Sequence, residues 1–158
     1  RDFCLSRGLG DVYKRQVAYG SNLNLKQMAY RCPSASIYGT GLLTNWELLY
    51  RGSATNSHAT IAKKQGSYVP VLLWSIEPED EKRLDIYEGY PRYYYKQNVM
   101  VDINGKKKRA MVYIMNQQCV PGRPSLTYIE TIRQGYIDNN FDLALFENSL
   151  DRNTIECR

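Results

Sequence analysis

Short apolar runs, separated by glycine, proline and asparagine, divide the chain into many brief elements. Residues 17–19 predict the end of a buried strand, and Gly20–Asn22 predicts a turn. Residues 24–32 place apolar side chains at helical spacing, and Asn24 is suited to the N-cap of this helix. Extended structure is then predicted over residues 34–53, 57–64 and 67–76.

A second helix is predicted from Pro78 to Glu88, because proline suits the first helical position and acidic residues follow it in the first turn. Gly89 fits the left-handed conformation that ends many helices. Two further apolar runs, 93–103 and 109–115, flank Asn104-Gly105 and predict a β-hairpin.

Two C-terminal helices complete the predicted order of elements. One covers residues 124–139 with Ser125 as its N-cap, and a shorter one covers Leu143–Leu150. The order β-α-β-β-β-α-β-β-α-α predicts an α+β fold with a mostly antiparallel, curled sheet.

A chain of 158 residues suits one domain with a single core, which we assign to residues 17–150. Residues 1–16 show no helical or strand period and resemble translated adapter sequence. We therefore expect them to be a non-native or disordered leader, with the fold beginning near Val17. We expect residues 151–158 to form a frayed C-terminal tail.

Composition argues against several classes of function. Of the net charge of +5, residues 1–16 carry +2, and the remaining surplus is too small and dispersed for nucleic-acid binding. One histidine and four cysteines without a CxxC pair argue against a zinc site, so we predict no metal. No phosphate-binding loop occurs, and we predict no cofactor.

The same composition bears on the compartment. No apolar run approaches the roughly 18–20 residues of a membrane span. Scattered cysteines without a secretory signal predict reduced thiols and a cytoplasmic protein.

The first candidate for a functional site is Tyr19–Asn22. A buried strand that enters a Gly-Ser-Asn turn can direct several backbone N–H groups at one point, and such a nest binds a carboxylate or a developing oxyanion. Gly20 allows a ligand to approach the backbone closely. An ordinary strand–helix turn is equally compatible with these residues.

The second candidate is Glu88. It follows Leu84 by four residues and shares the face that Leu84 buries, and it lies at the negative end of the helix dipole. Both effects raise the pKa of a carboxyl toward the range of a general base at neutral pH. Asp85 is expected to face solvent. The alternative for Glu88 is a helix-end glutamate that extends into water.

Other polar and sulfur-containing residues favour structural roles. The basic run Lys106–Arg109 predicts a solvated hairpin that protects a sheet edge. We interpret His58 as a loop or strand-edge residue rather than a catalyst, and Cys32 and Cys119 as core thiols. The 14 tyrosines, against 3 phenylalanines, suit the walls of a polar ligand site or a strand-rich fold.

These motifs together resemble the gamma-glutamylcyclotransferase-like family, from Val17 to about Leu150. The combination of "YGSN", "LDIYEGYP" and "PSLTY" carries the resemblance. The longer matching segments are AYGSNLNLKQMAYRCPSA, SHATI, YVPVLLWSI, DEKRLDIYEGYPRYY, AMVYIM and PSLTYIETIRQGY, in the order of the family.

The resemblance implies a small mixed, mostly antiparallel β-barrel with flanking helices and a cavity at one end. It implies that Glu88 is the catalytic acid/base and that backbone groups of the loop bind the glutamyl moiety of the substrate. The substrate-binding residues implied are Tyr19, Gly20, Ser21, Asn22, Tyr94, Tyr113 and Tyr128, with Tyr93 as an alternative to Tyr94.

The reaction implied by the resemblance releases 5-oxoproline and an amine or amino acid from a gamma-glutamyl compound, as in glutathione metabolism. Two alternatives stay open. One is a related transferase or deacylase acting on a carrier-bound gamma-glutamyl amide, and the other is a non-catalytic small-ligand binding module. We expect a small-molecule substrate, no nucleic acid or membrane partner, and a monomer or homodimer.

Overall fold

The barrel in the computed structural model consists of five strands within the described residues, 13–116 and 118–157. The strand order is β1-β3-β2-β4-β5, and a parallel pairing of β5 with β1 closes the barrel while the other pairings are antiparallel. The predicted fold class, a mostly antiparallel mixed barrel, is confirmed. The strands are β1 (Lys14–Ala18), β2 (Ser36–Arg51), β3 (His58–Ile76), β4 (Tyr94–Ile103) and β5 (Lys106–Met115).

The first strand begins three residues before Val17. Residues 14–16 pair with residues 74–76 of β3, and Gln16 also pairs with Met111 of β5. This part of the predicted leader therefore contributes backbone pairing to the barrel. Residues 1–12 of the predicted leader lie outside the described residues.

The two strands predicted over 57–64 and 67–76 are one strand, β3. Opposite its middle, the register shifts between Thr44 and Trp46, and Asn45 adopts a left-handed backbone with φ 67°. The Asn45 side chain accepts a hydrogen bond from the Gly66 N–H, and Gly66 has φ +88°. This paired irregularity lets β2 and β3 bend together without ending.

Four α-helices in the described part of the chain flank the barrel: α1 (Leu25–Arg31), α2 (Pro78–Glu88), α3 (Leu126–Asp138) and α4 (Leu143–Glu156). The predicted N-caps are confirmed, since Asn24 accepts from Gln27 N–H and Ser125 accepts from Tyr128 N–H. None of these helices is long and apolar enough to cross a membrane.

The C-terminal helix is longer than predicted, and residues 151–156 are helical rather than frayed. Its buried face continues past Leu150 because Asn153 lies against the barrel and donates to the Gly122 carbonyl at 2.8 Å. One turn earlier, Ser149 and Tyr50 share a buried hydroxyl–hydroxyl hydrogen bond of 2.7 Å. Packing of this face against the barrel, rather than local propensity, sets the length of the helix.

The β4–β5 hairpin is confirmed at the predicted turn. Asn104 and Gly105 both have positive φ, 51° and 82°, as a type I′ turn requires. The basic run Lys106–Arg109 starts β5 at this turn and is mostly exposed, as predicted. The opposite end of the hairpin, where Tyr94 pairs with Met115, faces the cavity described next.

Candidate active site

A cavity of about 620 Å³ opens where β2 ends and β3 begins, and it continues into a narrow inner part of about 20 Å³. Ser21, Glu88, Tyr94 and Tyr128 line both parts. The inner part brings together every site residue predicted from the sequence: Tyr19, Gly20, Ser21, Asn22, Glu88, Tyr94, Tyr113 and Tyr128. The roles of these residues stay predictions, whereas their proximity is a property of the fold.

The predicted loop forms one turn of 3₁₀ helix, Ser21–Leu23, directly after β1. The first N–H groups of such a turn have no partner within the helix, so they are available to a ligand. The loop is fixed from behind, because the buried Trp74 indole donates to the Asn22 carbonyl at 2.9 Å.

A side chain at Gly20 would be crowded. A Cβ at this position would lie 3.1 Å from the Ala59 Cβ and 3.5 Å from the Tyr128 hydroxyl. The glycine therefore lets the loop pack against the start of β3 and leaves room beside the phenol.

Glu88 is the last residue of α2, and its carboxyl faces the cavity. Leu84 on the same face is fully buried, and Gly89 ends the helix with φ 69°, both as predicted. Among the described residues, no side chain or backbone group donates a hydrogen bond to the Glu88 carboxyl. Burial raises the pKa of Glu88 to about 7, while the nearby Arg31 charge acts in the opposite direction.

The four predicted pocket phenols differ in what their hydroxyls do. Tyr19 donates to the Tyr113 carbonyl at 2.7 Å, and Tyr94 donates to the Ala59 carbonyl at 2.8 Å. Tyr113 donates to Asp85 Oδ1 at 2.6 Å. These three phenols use their protons to hold the walls of the cavity.

The Tyr128 hydroxyl accepts a hydrogen bond from the protein, whereas the other three donate one. It accepts from the Ala59 N–H at 3.0 Å, so its own proton remains available to donate. Burial raises the pKa of Tyr128, which keeps this proton bound at neutral pH. Among the predicted phenols, Tyr128 is therefore the hydrogen-bond donor that a ligand in the cavity can use.

The prediction that Asp85 faces solvent is wrong. Its carboxylate accepts the Tyr113 hydroxyl and lies 2.9 Å from Lys96 Nζ, and the same ammonium lies 2.7 Å from Glu81. Asp85 is one turn before Gly89 on the side of α2 that meets β4 and β5. A helical wheel places it away from the buried face of α2 but says nothing about the strands that cover its other side.

Two residues interpreted as structural line the outer part of the cavity. His58 begins β3 and packs edge-on against Tyr128, with ring centroids 4.8 Å apart, and burial lowers its pKa. Cys119 is half-buried in the cavity wall rather than in the core, whereas Cys32 is buried as predicted. Tyr93 and Tyr94, the two alternatives for one pocket tyrosine in the family match, both line the cavity.

Sequence reasoning missed two residues beside the site, Arg31 and Tyr87. Tyr87 lines the cavity directly before Glu88, and the Arg31 guanidinium donates to the Tyr87 hydroxyl at 2.7 Å. Both residues lie inside segments that match the family, and this was the sequence signal available for them. Their contact could not be predicted locally because it joins residues 56 positions apart. Within the described residues, no group of three or more His, Cys, Asp or Glu side chains is arranged to hold a metal ion.

Comparison with known proteins agrees with this architecture. The sequence profile described as gamma-glutamyl cyclotransferase, AIG2-like, matches residues 17–131. A solved structure named gamma-glutamyl cyclotransferase is 26% identical, with a TM-score of 0.77, and the match covers 88% of this chain and 86% of that one. A Homo sapiens protein described as uncharacterized has the same values. No curated protein sequence matches the chain.

A more distant structure shares the fold alone. It is a yeast gamma-glutamyl cyclotransferase specific to glutathione, 10% identical with a TM-score of 0.61, and the match covers 90% of this chain and 97% of that one. Since the profile spans most of the chain, the protein belongs to the AIG2-like gamma-glutamyl cyclotransferase family.

Proposed function

We propose that this family member converts a gamma-glutamyl compound into 5-oxoproline and a free amine or amino acid. One observation carries the proposal. The Glu88 carboxyl, with its pKa raised to about 7 and no hydrogen-bond partner among the described residues, faces the same cavity as the Gly20–Asn22 loop. A carboxyl that is half ionised at neutral pH can both accept and return a proton.

The chemistry needs no protein nucleophile. The α-amine of the substrate attacks its own γ-carbonyl carbon, a new C–N bond closes the five-membered ring, and the bond to the leaving amine breaks. The α-ammonium loses two protons on becoming the lactam N–H. Glu88 removes the first and passes it to the leaving nitrogen as the C–N bond breaks, and the second, released as the ring closes, is taken up by the free amine as it becomes an ammonium. Holding the two reacting groups together can contribute on the order of 7–11 kcal/mol in well-oriented cases.

The transient oxyanion requires hydrogen-bond donors. The loop N–H groups and the free proton of Tyr128 are the donors that the cavity offers near Glu88. Three other phenols support these groups from behind, because their own protons are already bonded to protein acceptors.

The outer part of the cavity indicates what the leaving group encounters. Its described lining includes no lysine or arginine, and burial keeps His58 mostly neutral at pH 7. Polar contacts come from Ser53, Asn56 and tyrosine hydroxyls, while Ile86 and Met115 add apolar surface. We therefore expect uncharged leaving groups to be preferred over leaving groups that end in a carboxylate.

The decisive experiment is a panel of gamma-glutamyl compounds incubated with the whole chain, with 5-oxoproline measured by mass spectrometry. The panel pairs leaving groups of equal size that differ only in a terminal carboxylate. We expect 5-oxoproline release, at higher kcat/KM for the uncharged member of each pair. Transfer of the glutamyl group to an acceptor would favour the carrier-linked alternative, and saturable binding without any product would favour the binding module.

A further inference from the structure

Arg31, the last residue of α1, lies behind the cavity wall. It contacts both the Ser21–Asn22 loop and the end of α2. One guanidinium nitrogen donates to Asn22 Oδ1 at 2.6 Å and to Ser21 Oγ at 3.4 Å. The other donates to the Tyr87 hydroxyl at 2.7 Å, and the guanidinium carbon lies 3.7 Å from the centroid of the Tyr87 ring. Arg31 itself is not among the residues that line the cavity.

The two groups that Arg31 binds are also in contact with each other. Ser21 Oγ and the Tyr87 hydroxyl lie 3.2 Å apart, so loop, helix end and guanidinium form one connected group. Tyr87 immediately precedes Glu88, which means that the position of Glu88 relative to the loop depends on this group. The planar fork of arginine can hold two acceptors in fixed directions, which the single ammonium of a lysine cannot do.

Among the described residues, the Arg31 guanidinium donates to uncharged groups, which are Ser21, Asn22, Gln27 and Tyr87. Within the described residues, no carboxylate lies within 4.0 Å of its guanidinium. Its field therefore acts on Glu88, where it favours the ionised form and lowers the pKa against the effect of burial.

Other titratable groups share the cavity with Glu88, among them Tyr87, Tyr93 and Cys119. Five more each come from a different element: Tyr19 after β1, His58 on β3, Tyr94 on β4, Tyr113 on β5 and Tyr128 on α3. Burial raises the pKa of each of the phenols among these five and lowers that of the imidazole, so all five are mainly neutral at pH 7. Arg31 is thus the cation that offsets the burial of Glu88.

We propose that Arg31 is a positioning residue, which holds the Ser21–Asn22 loop and the helix end bearing Glu88 at a fixed separation through Tyr87. This role rests on the proposed function, because the separation matters if the loop binds the oxyanion while Glu88 moves the proton. A displacement of about 1 Å between such groups can cost roughly 10²-fold in rate.

The test compares Arg31→Met, Arg31→Lys and Tyr87→Phe with Lys26→Met, which removes an exposed positive charge from the same helix. We expect Arg31→Met to lower kcat about 10- to 100-fold and to move the Glu88-dependent limb of the pH–rate profile to higher pH. Arg31→Lys should lose rate while keeping that limb in place, since it retains the charge but not the fork. Lys26→Met should leave both unchanged.

A second readout does not depend on turnover. The Glu88 carboxyl is titrated by NMR in labelled protein, and amide hydrogen exchange is followed at Ser21–Leu23. We expect Arg31→Met to raise the titration midpoint and to speed the exchange, and we expect Tyr87→Phe to speed the exchange alone.

The two measurements distinguish a failure of the proposed function from a failure of the positioning role of Arg31. If the unmodified protein releases no 5-oxoproline, the proposed function fails, while the NMR changes still support the positioning role. If Arg31→Met keeps the rate, the titration midpoint and the exchange rates of the unmodified protein, the positioning role is wrong.

Discussion

The last two turns of α2 carry two carboxylates in opposite environments. Asp85 faces β4 and β5, where the Lys96 ammonium and the Tyr113 hydroxyl satisfy it. Glu88 faces the cavity, where burial raises its pKa and no donor in the described residues bonds to it. Two residues separate these acids of nearly the same chemistry, and the fold pairs one with a cation and a phenol while it gives the other no donor among the described residues.

The two carboxylates differ in whether the fold supplies a hydrogen-bond partner. A carboxylate bound by a cation and a phenol is stabilised in its ionised form and has nothing to gain from a proton. A carboxyl that is desolvated without a partner changes its protonation easily near neutral pH. The same helix therefore anchors itself to the barrel through Asp85 and, one turn later, places the Glu88 carboxyl in the cavity without a donor among the described residues.

Separate replacement of the two acids should have the largest effect on catalysis. We expect Glu88→Gln to lower kcat for 5-oxoproline release by about 10²- to 10⁴-fold, because the amide cannot shuttle a proton. Asp85→Asn, the matched control on the same helix, should lower kcat by less than tenfold. If Glu88→Gln is correctly folded and keeps its turnover, Glu88 is not the acid/base.

The pH dependence of stability should separate the two acids as well. Glu88 has an ordinary pKa of 4.5 when unfolded and about 7 when folded, so its contribution is complete below pH 4.5. As the pH rises from 4.5 to 7, the unfolded chain releases this proton and the folded chain retains it. The free energy of unfolding should therefore fall by at most about 3 kcal/mol over this interval.

Urea unfolding of the unmodified protein and of Glu88→Gln, measured from pH 4.5 to 8, checks this sign. The glutamine variant has no such titration, so it should become the more stable of the two as the pH rises. A constant difference in stability across the interval would contradict the raised pKa.

The structural role of Asp85 is tested by stability rather than by rate. We expect Asp85→Asn to lower the free energy of unfolding by about 1–2 kcal/mol, since the contacts with Lys96 and Tyr113 are charge-assisted but partly exposed. Adding Tyr113→Phe should cost less in the double variant than alone, because the two groups share one hydrogen bond. Strict additivity would show that this bond contributes nothing.

The smallest effect is expected at Gln16, a buried polar residue of β1. Gln16 is 1% exposed, its Nε2 donates to the adjacent Val17 carbonyl, and its Oε1 has no hydrogen-bond partner in the described part of the chain. Unlike Glu88, Gln16 has no part in the proposed proton transfer. We expect Gln16→Leu to raise the free energy of unfolding by about 1 kcal/mol in urea titrations, because it removes an unsatisfied buried oxygen. A loss of stability would mean that Oε1 is satisfied in solution.

Local rules predicted much of the fold and of the site. The caps at Asn24 and Ser125, the stop at Gly89 and the turn at Asn104-Gly105 depend on backbone conformations that nearby residues dictate. The burial of Leu84 followed from helical spacing, and that spacing brought Glu88 to the same face.

The wrong predictions share one cause, which is contact with residues distant in the sequence. The unbroken course of β3 depends on Asn45 of β2, and the helical state of residues 151–156 depends on the Gly122 carbonyl. Asp85 finds its partners on β4 and β5. A periodic pattern indicates which side chains need burial, but it does not indicate what covers them.

Local sequence patterns were enough to select Tyr19–Asn22 and Glu88, because a Gly-Ser-Asn turn after a buried strand and a glutamate at a helix end have chemical meaning on their own. The resemblance to the family added Tyr94, Tyr113 and Tyr128. The proximity of these residues arises only on folding. Closure of the barrel brings the loop after β1, the end of α2 and Tyr128 of α3 around one cavity, and it encloses Glu88 where water cannot fully solvate its charge. Proximity and desolvation arise only from the packed chain, since both depend on atoms that lie far apart along it.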